Sequence, residues 1–146
     1  MLNRKIYNEL ENFLKAEKKA LLISGARQVG KTFAIRTVGS KCFKNIVEIN
    51  FLSNPQYKDA FFVPTNAKEI LLRISALTEK SLVPGETLIF FDEVQECPEM
   101  VTAIKFLVEE GSYRYVMSGS LLGVELKDIR SVPVGYLTEK EMFPLD

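Results

Sequence analysis

Residues 24–33 read SGARQVGKTF, and within them Gly25–Thr32, GARQVGKT, fits the spacing GxxxxGK[ST]. Ahead of it ALLIS, Ala20–Ser24, is a short apolar run that predicts a buried strand. Behind it KTFAIRTV predicts a helix, with Gly39 placed to stop it. A loop that wraps phosphates must aim several backbone N–H groups inward, through φ/ψ values that glycine reaches without steric cost. The helix opening near Lys31 adds the positive end of its dipole. Gly25, Ala26, Arg27, Gln28, Val29, Gly30, Lys31, Thr32 and Phe33 are therefore the candidate nucleotide contacts. Lys31 would neutralise the β- and γ-phosphates, and the Thr32 hydroxyl would ligate Mg²⁺. Arg27 and Gln28 occupy positions the pattern leaves free, where a solvated side chain is the default.

Working outward, NRKIYNELENFLKAEKK puts Ile6, Leu10, Phe13 and Leu14 on one face of an amphipathic helix. KNIVEINF, Lys44–Phe51, reads as a second strand. Leu52–Thr65 holds Pro55, Pro64, Tyr57, Phe61 and Phe62 and reads mostly as loop with room for a short helix, its aromatics destined for the core rather than for a partner patch. NAKEILLRISAL opens on a capping-box-like pair, Asn66 and Glu69, and turns Ile70, Leu71, Ile74 and Leu77 inward. After the turn LVPGE, TLIFFDEV is a near-continuous apolar run of the kind found in central parallel strands. PEMVTAIKFLVEEG is a helix punctuated by Pro98 and Gly111. YRYVMSGS is a fourth strand, and PVGYLTEKEMFPLD carries a last short one beyond the loop LLGVELKDIRS. This alternation implies crossover units: an α/β, three-layer P-loop NTPase fold with a parallel five-stranded sheet and helices on both faces, as one domain over residues 1–146.

LIFFDE supplies the acidic half of the site. Four apolar residues precede Asp92, so its carboxylate should emerge at the strand's carboxyl end, where open α/β sheets bind ligands, and there hold Mg²⁺. Glu93 beside it can orient and deprotonate a water for attack on the γ-phosphorus, which favours hydrolysis over transfer to another acceptor. Ser118 and Ser120 end the next strand. If that strand lies between the other two, one of the hydroxyls could touch the γ-phosphate or the attacking water; strand-end capping is the plain alternative. Lys31, Glu93, Ser118 and Ser120 are thus the candidate catalytic residues, with Thr32 and Asp92 the candidate metal ligands. Gln95 follows the acidic pair and could report nucleotide state. Arg130 could bring a positive charge to the phosphates, although a solvated loop arginine is the simpler assignment.

Composition narrows the chemistry. Nineteen basic and nineteen acidic side chains cancel, so no net field draws the chain to nucleic acid or an anionic membrane. The sequence has no His, which removes Ser-His and Cys-His nucleophile pairs and makes a zinc site improbable. Cys42 and Cys97 stand apart without CxxC spacing, as reduced structural thiols would. No signal peptide and no spanning segment is visible, so a cytoplasmic location is expected. No NKxD base-reading motif speaks for guanine nucleotides.

GARQVGKT, LIFFDEVQECP, YRYVMSGSLLG and SVPVGYLTEKEMFPLD, in that order, resemble the ATP-binding core of a prokaryotic AAA-type P-loop ATPase family, from about Leu21 onward. The resemblance implies ATP as ligand, Lys31 and Thr32 on phosphates and Mg²⁺, Asp92 on Mg²⁺, Glu93 as catalytic base and a sensor-like hydroxyl at Ser118 or Ser120. It implies that the loop-bearing strand lies between the sensor strand and the last strand. Tyr136 stands where such proteins often carry a basic residue. The family continues past this point through a helical lid and a C-terminal domain of uncharacterised role, so a truncated core is expected. A protein partner or self-association would fall to that missing part. Three functions follow for comparison: Mg²⁺-dependent ATP hydrolysis, weak in the isolated core; a nucleotide-dependent binding switch with little turnover; and a small-molecule kinase, disfavoured by Glu93 and by the lack of an Arg-rich lid.

Overall fold

The computed structural model describes residues 4–25, 30–62, 66–119 and 135–141. In chain order the elements are α1 (Arg4–Ala16), β1 (Ala20–Ser24), α2 (Lys31–Cys42), β2 (Asn45–Asn50), a 3-10 helix (Pro55–Phe61), α3 (Ala67–Leu77), β3 (Thr87–Asp92), a short 3-10 turn (Val94–Glu96), α4 (Pro98–Glu110), β4 (Arg114–Gly119) and β5 (Leu137–Glu141). All four strand pairings are parallel and the order is β2-β3-β4-β1-β5. The expected five-stranded α/β sheet is therefore present. The loop-bearing strand β1 does lie between β4 and β5, and β4 separates β1 from β3.

Strand alternation divides the core into two faces. Ile89 and Phe91 of β3, with Tyr115 and Met117 of β4, point into a cluster completed by Phe51, the first 3-10 helix, α3 and α4. Leu88 and Phe90, with Val116, Leu21 and Ile23, point the other way, against Leu10, Phe13 and Leu14 of α1 and Ala34, Ile35 and Val38 of α2. Asp92 and Ser118 continue that second set at the strands' carboxyl ends, and the two are register partners.

The caps follow the sequence. The Asn66 side chain accepts a hydrogen bond from the Glu69 N–H at 2.9 Å, and Gly111 closes α4 in the left-handed conformation. Three expectations fail. Gly39 does not end α2; the helix runs on to Cys42. A Cβ at Gly39 would lie 2.8 Å from Ile46 Cδ1 and 2.9 Å from Leu88 Cδ2, so the glycine is there to let α2 approach the sheet. Leu77, at the last turn of α3, is exposed rather than buried, and Phe62, one residue past the 3-10 helix, is 79% exposed while Tyr57 and Phe61 are in the core. Leu77 is the last residue of α3 and Phe62 the cap just past the 3-10 helix, the ends at which each buried face runs out. Among the described residues no helix is long and apolar enough to cross a membrane.

Candidate functional site

Two chain segments reach the same point from different crossover units. β1 ends at Ser24, and the next described residues, Gly30 and Lys31, open α2. Gly30 is its N-cap at φ 82°, a left-handed value that a glycine holds without strain. β3 ends at Asp92. Parallel register sets Asp92 level with Ser118, Ser118 level with Ile23, and Gly119 level with Ser24. The ends of β1, β3 and β4 thus form one shelf at the carboxyl edge of the sheet, with the α2 N-terminus above it.

Lys31 is 6% exposed, and its ammonium donates to the Gly25 carbonyl and, at 3.1 Å, to that of Gly119. The Thr32 hydroxyl donates to Asp92 Oδ2 at 3.1 Å, which ties the two segments together. Asp92 Oδ1 accepts the Glu93 N–H at 2.9 Å. Burial pushes the Asp92 carboxyl above the usual carboxylate range, opposed by these two hydrogen bonds.

Glu93 follows at φ 57°, the sole non-glycine residue with positive φ among those described. A non-glycine residue in this region is uncommon and costs on the order of 1 kcal/mol, a conformation that clusters at functional sites. Here it swings the chain out of β3 and over the end of β4. The Glu93 carboxylate accepts the Gln95 amide at 2.6 Å.

Of the other expected site residues, Ser118 is fully buried, and its hydroxyl has no partner among the described residues. Phe33 lies on the solvent side of α2, 66% exposed. Ala26, Arg27, Gln28, Val29, Ser120 and Arg130 lie outside the described residues. Tyr136 precedes β5 at the amino end of the sheet, where its hydroxyl bonds Glu109 of α4. A basic residue at 136 would not meet phosphates bound at the opposite edge, so Tyr136 takes nothing from the site.

The sequence did not point to two contributors. Gly119 offers its carbonyl to Lys31. Ser24 donates to Glu139 of β5 at 3.1 Å, closing the β1–β5 side of the shelf. Only strand parity could have flagged them, since neither belongs to a spaced motif. Gln95, singled out for its place after the acidic pair, touches both Glu93 and the end of β4.

The oxygen donors suit a hard cation. Among the described residues no three His, Cys, Asp or Glu cluster to hold a metal. Mg²⁺ is usually held by one or two protein oxygens with the rest from water and phosphate.

These features define a nucleotide-binding P-loop ATPase. The AAA domain family matches residues 17–146, and the chain belongs to that family. No curated protein matches the sequence. Among solved structures, RuvB from Thermotoga maritima is similar at 15% identity and TM-score 0.53, over 96% of this chain and 45% of RuvB. A DNA replication initiation factor is similar at 13% identity and TM-score 0.53, over 94% and 45%. C. elegans PCH-2 aligns at 14% identity and TM-score 0.47, over 97% and 40%. At such identities the likeness to RuvB and to the initiation factor is one of fold. The chain spans under half the length of each.

Proposed function

We propose that this chain binds ATP with Mg²⁺ at the carboxyl edge of its sheet and hydrolyses the γ-phosphate, residues 1–146 acting as one core domain. The observation that carries the proposal is the Thr32–Asp92 hydrogen bond, which brings the lysine-bearing helix and the acidic strand end to one place. Lys31 exchanges backbone carbonyls for β- and γ-phosphate oxygens, an ion pair in place of a charge–dipole contact. Thr32 and Asp92 would hold Mg²⁺, which when bound would supply positive charge against the phosphate oxygens. Glu93 takes the proton of the attacking water; the new bond joins water oxygen to the γ-phosphorus, the β–γ bridge breaks, and ADP and inorganic phosphate leave. Ser118 or Ser120 contacts the γ-phosphate or that water.

Phosphate release from ATP and Mg²⁺ by the full-length protein tests the proposal, against Glu93→Gln, which keeps the shape and loses the base. A fall of about 10²-fold or more is expected from removal of a positioned base. Equal rates would sink the role of Glu93.

The Lys31–Gly119 contact favours a second reading, a binding switch. Nucleotide would withdraw the lysine from the end of β4 and reshape that edge with little turnover. ATP binding by calorimetry, with no phosphate release at high protein concentration, would decide for it.

A further inference from the structure

Gln95 holds the side chain proposed as the base and rests at the same time on the strand that touches the phosphate lysine. Its Nε2 donates to Glu93 Oε2 at 2.6 Å. Its Oε1 lies 2.6 Å from the position a Cβ on Gly119 would take, with Val94 Cγ2 at 3.1 Å and Val94 N at 3.2 Å. No side chain larger than hydrogen fits at 119 while Gln95 stays where it is. The Gly119 carbonyl in turn accepts the Lys31 ammonium at 3.1 Å. One glutamine amide thus connects Glu93 to the end of β4, and β4 connects onward to Lys31.

The backbone makes this possible. Glu93's left-handed φ turns the chain at once into the Val94–Glu96 turn, so Gln95 comes back over β4 only two residues past Glu93. Val94 is fully buried in the aromatic-rich cluster and anchors that turn. The amide is therefore seated by its surroundings, and it holds the carboxylate through one of its oxygens.

We propose that Gln95 is the positioning residue for Glu93: its amide, seated on Gly119, sets where the carboxylate points. This rests on Glu93 acting as the base. Gln95 touches neither water nor phosphate in this role and acts through Glu93.

Steady-state ATP hydrolysis by the full-length protein tests it. Gln95→Ala should lower kcat by about 10-fold, and as much as 100-fold, with KM for ATP changed less than about 2-fold, because orientation and not ground-state binding is lost. Gln95→Glu, isosteric but unable to donate to a carboxylate, should fall at least as far. Gly119→Ala, which displaces the amide from the opposite side, should reproduce the Gln95→Ala loss. In a Glu93→Gln background, Gln95→Ala should bring no further loss, since residues acting as a unit are non-additive. A structural role would instead give multiplying losses or a raised KM, and either result overturns the proposal. So does a wild-type kcat in Gln95→Ala while Glu93→Gln is impaired. A wild-type rate in Glu93→Gln itself would strike the base assignment, a separate failure.

Discussion

The two faces of the sheet are built from different chemistry. On the face covered by α3, α4 and the first 3-10 helix, Phe51, Phe91 and Tyr115 stack in a row, with ring centroids 5.9 and 6.1 Å apart, and Phe61 meets Phe51 and Phe91 edge-on. On the face covered by α1 and α2 the side chains are mostly aliphatic, and the rows they form end in Asp92 and Ser118. A single strand serves both. The odd-numbered residues of β3 build the aromatic core, and its even-numbered residues run up to the candidate magnesium ligand. The larger cluster thus covers one face and the candidate site lies at the rim of the other, with Glu93 between them.

The largest effect should come from the aromatic face. Phe91 is fully buried and contacts three aromatic rings. Phe91→Ala should lower unfolding free energy by about 3–5 kcal/mol, measured by urea denaturation. A loss below about 1 kcal/mol would show that the rings carry little of the fold. Next is Gly39, where α2 meets the aliphatic face. Gly39→Val drives a branched side chain into Ile46 and Leu88, and overpacking of this kind costs about 1–3 kcal/mol. No loss of stability would show that the close approach of α2 to the sheet does not need a glycine there.

Each face also holds one buried hydroxyl without a partner among the described residues, Tyr115 and Ser118. Such orphans cost about 1–3 kcal/mol when desolvated. Tyr115→Phe should therefore raise stability by about 1 kcal/mol and leave ATP turnover unchanged. Ser118→Ala should be no less stable than the parent, yet lose turnover if its hydroxyl serves the nucleotide. Equal turnover in both variants would mark Ser118 as a core residue and leave the sensor role to Ser120.

Much of this was legible in the sequence. Apolar runs gave β1, β3 and β4, because a parallel strand covered on both faces cannot hide its composition, while β-branched residues marked β2, and the glycine and acidic motifs located the shelf. What escaped depends on contacts between distant segments. Gly39 looks like a helix stop from its neighbours, and only the approach of Ile46 and Leu88 explains it. Position 136 drew notice as one where similar proteins often carry a basic residue, yet β5 runs parallel to β1, which puts its start at the far edge. The Gln95–Gly119 contact joins the Val94–Glu96 turn to the end of β4 through one amide, and no periodicity encodes that.

The smallest effect concerns Asp92, where the two faces' logics collide: a buried group kept for chemistry. Burial holds its carboxyl above the usual range. Between its ordinary value, about 3.8, and that raised value, the folded chain keeps a proton that the unfolded chain releases. Stability must then fall as pH rises through this window, and at neutral pH the ionised group subtracts from folding. Asp92→Asn removes the charge while an amide can still meet Thr32 and the Glu93 N–H. Without nucleotide or Mg²⁺ its Tm at neutral pH should equal or exceed the parent's, and the decline with rising pH through mild acid should flatten. Turnover should be lost in the same variant. A lower Tm at neutral pH would mean that the two hydrogen bonds outweigh desolvation, and that Asp92 supports the fold as the aromatic face does.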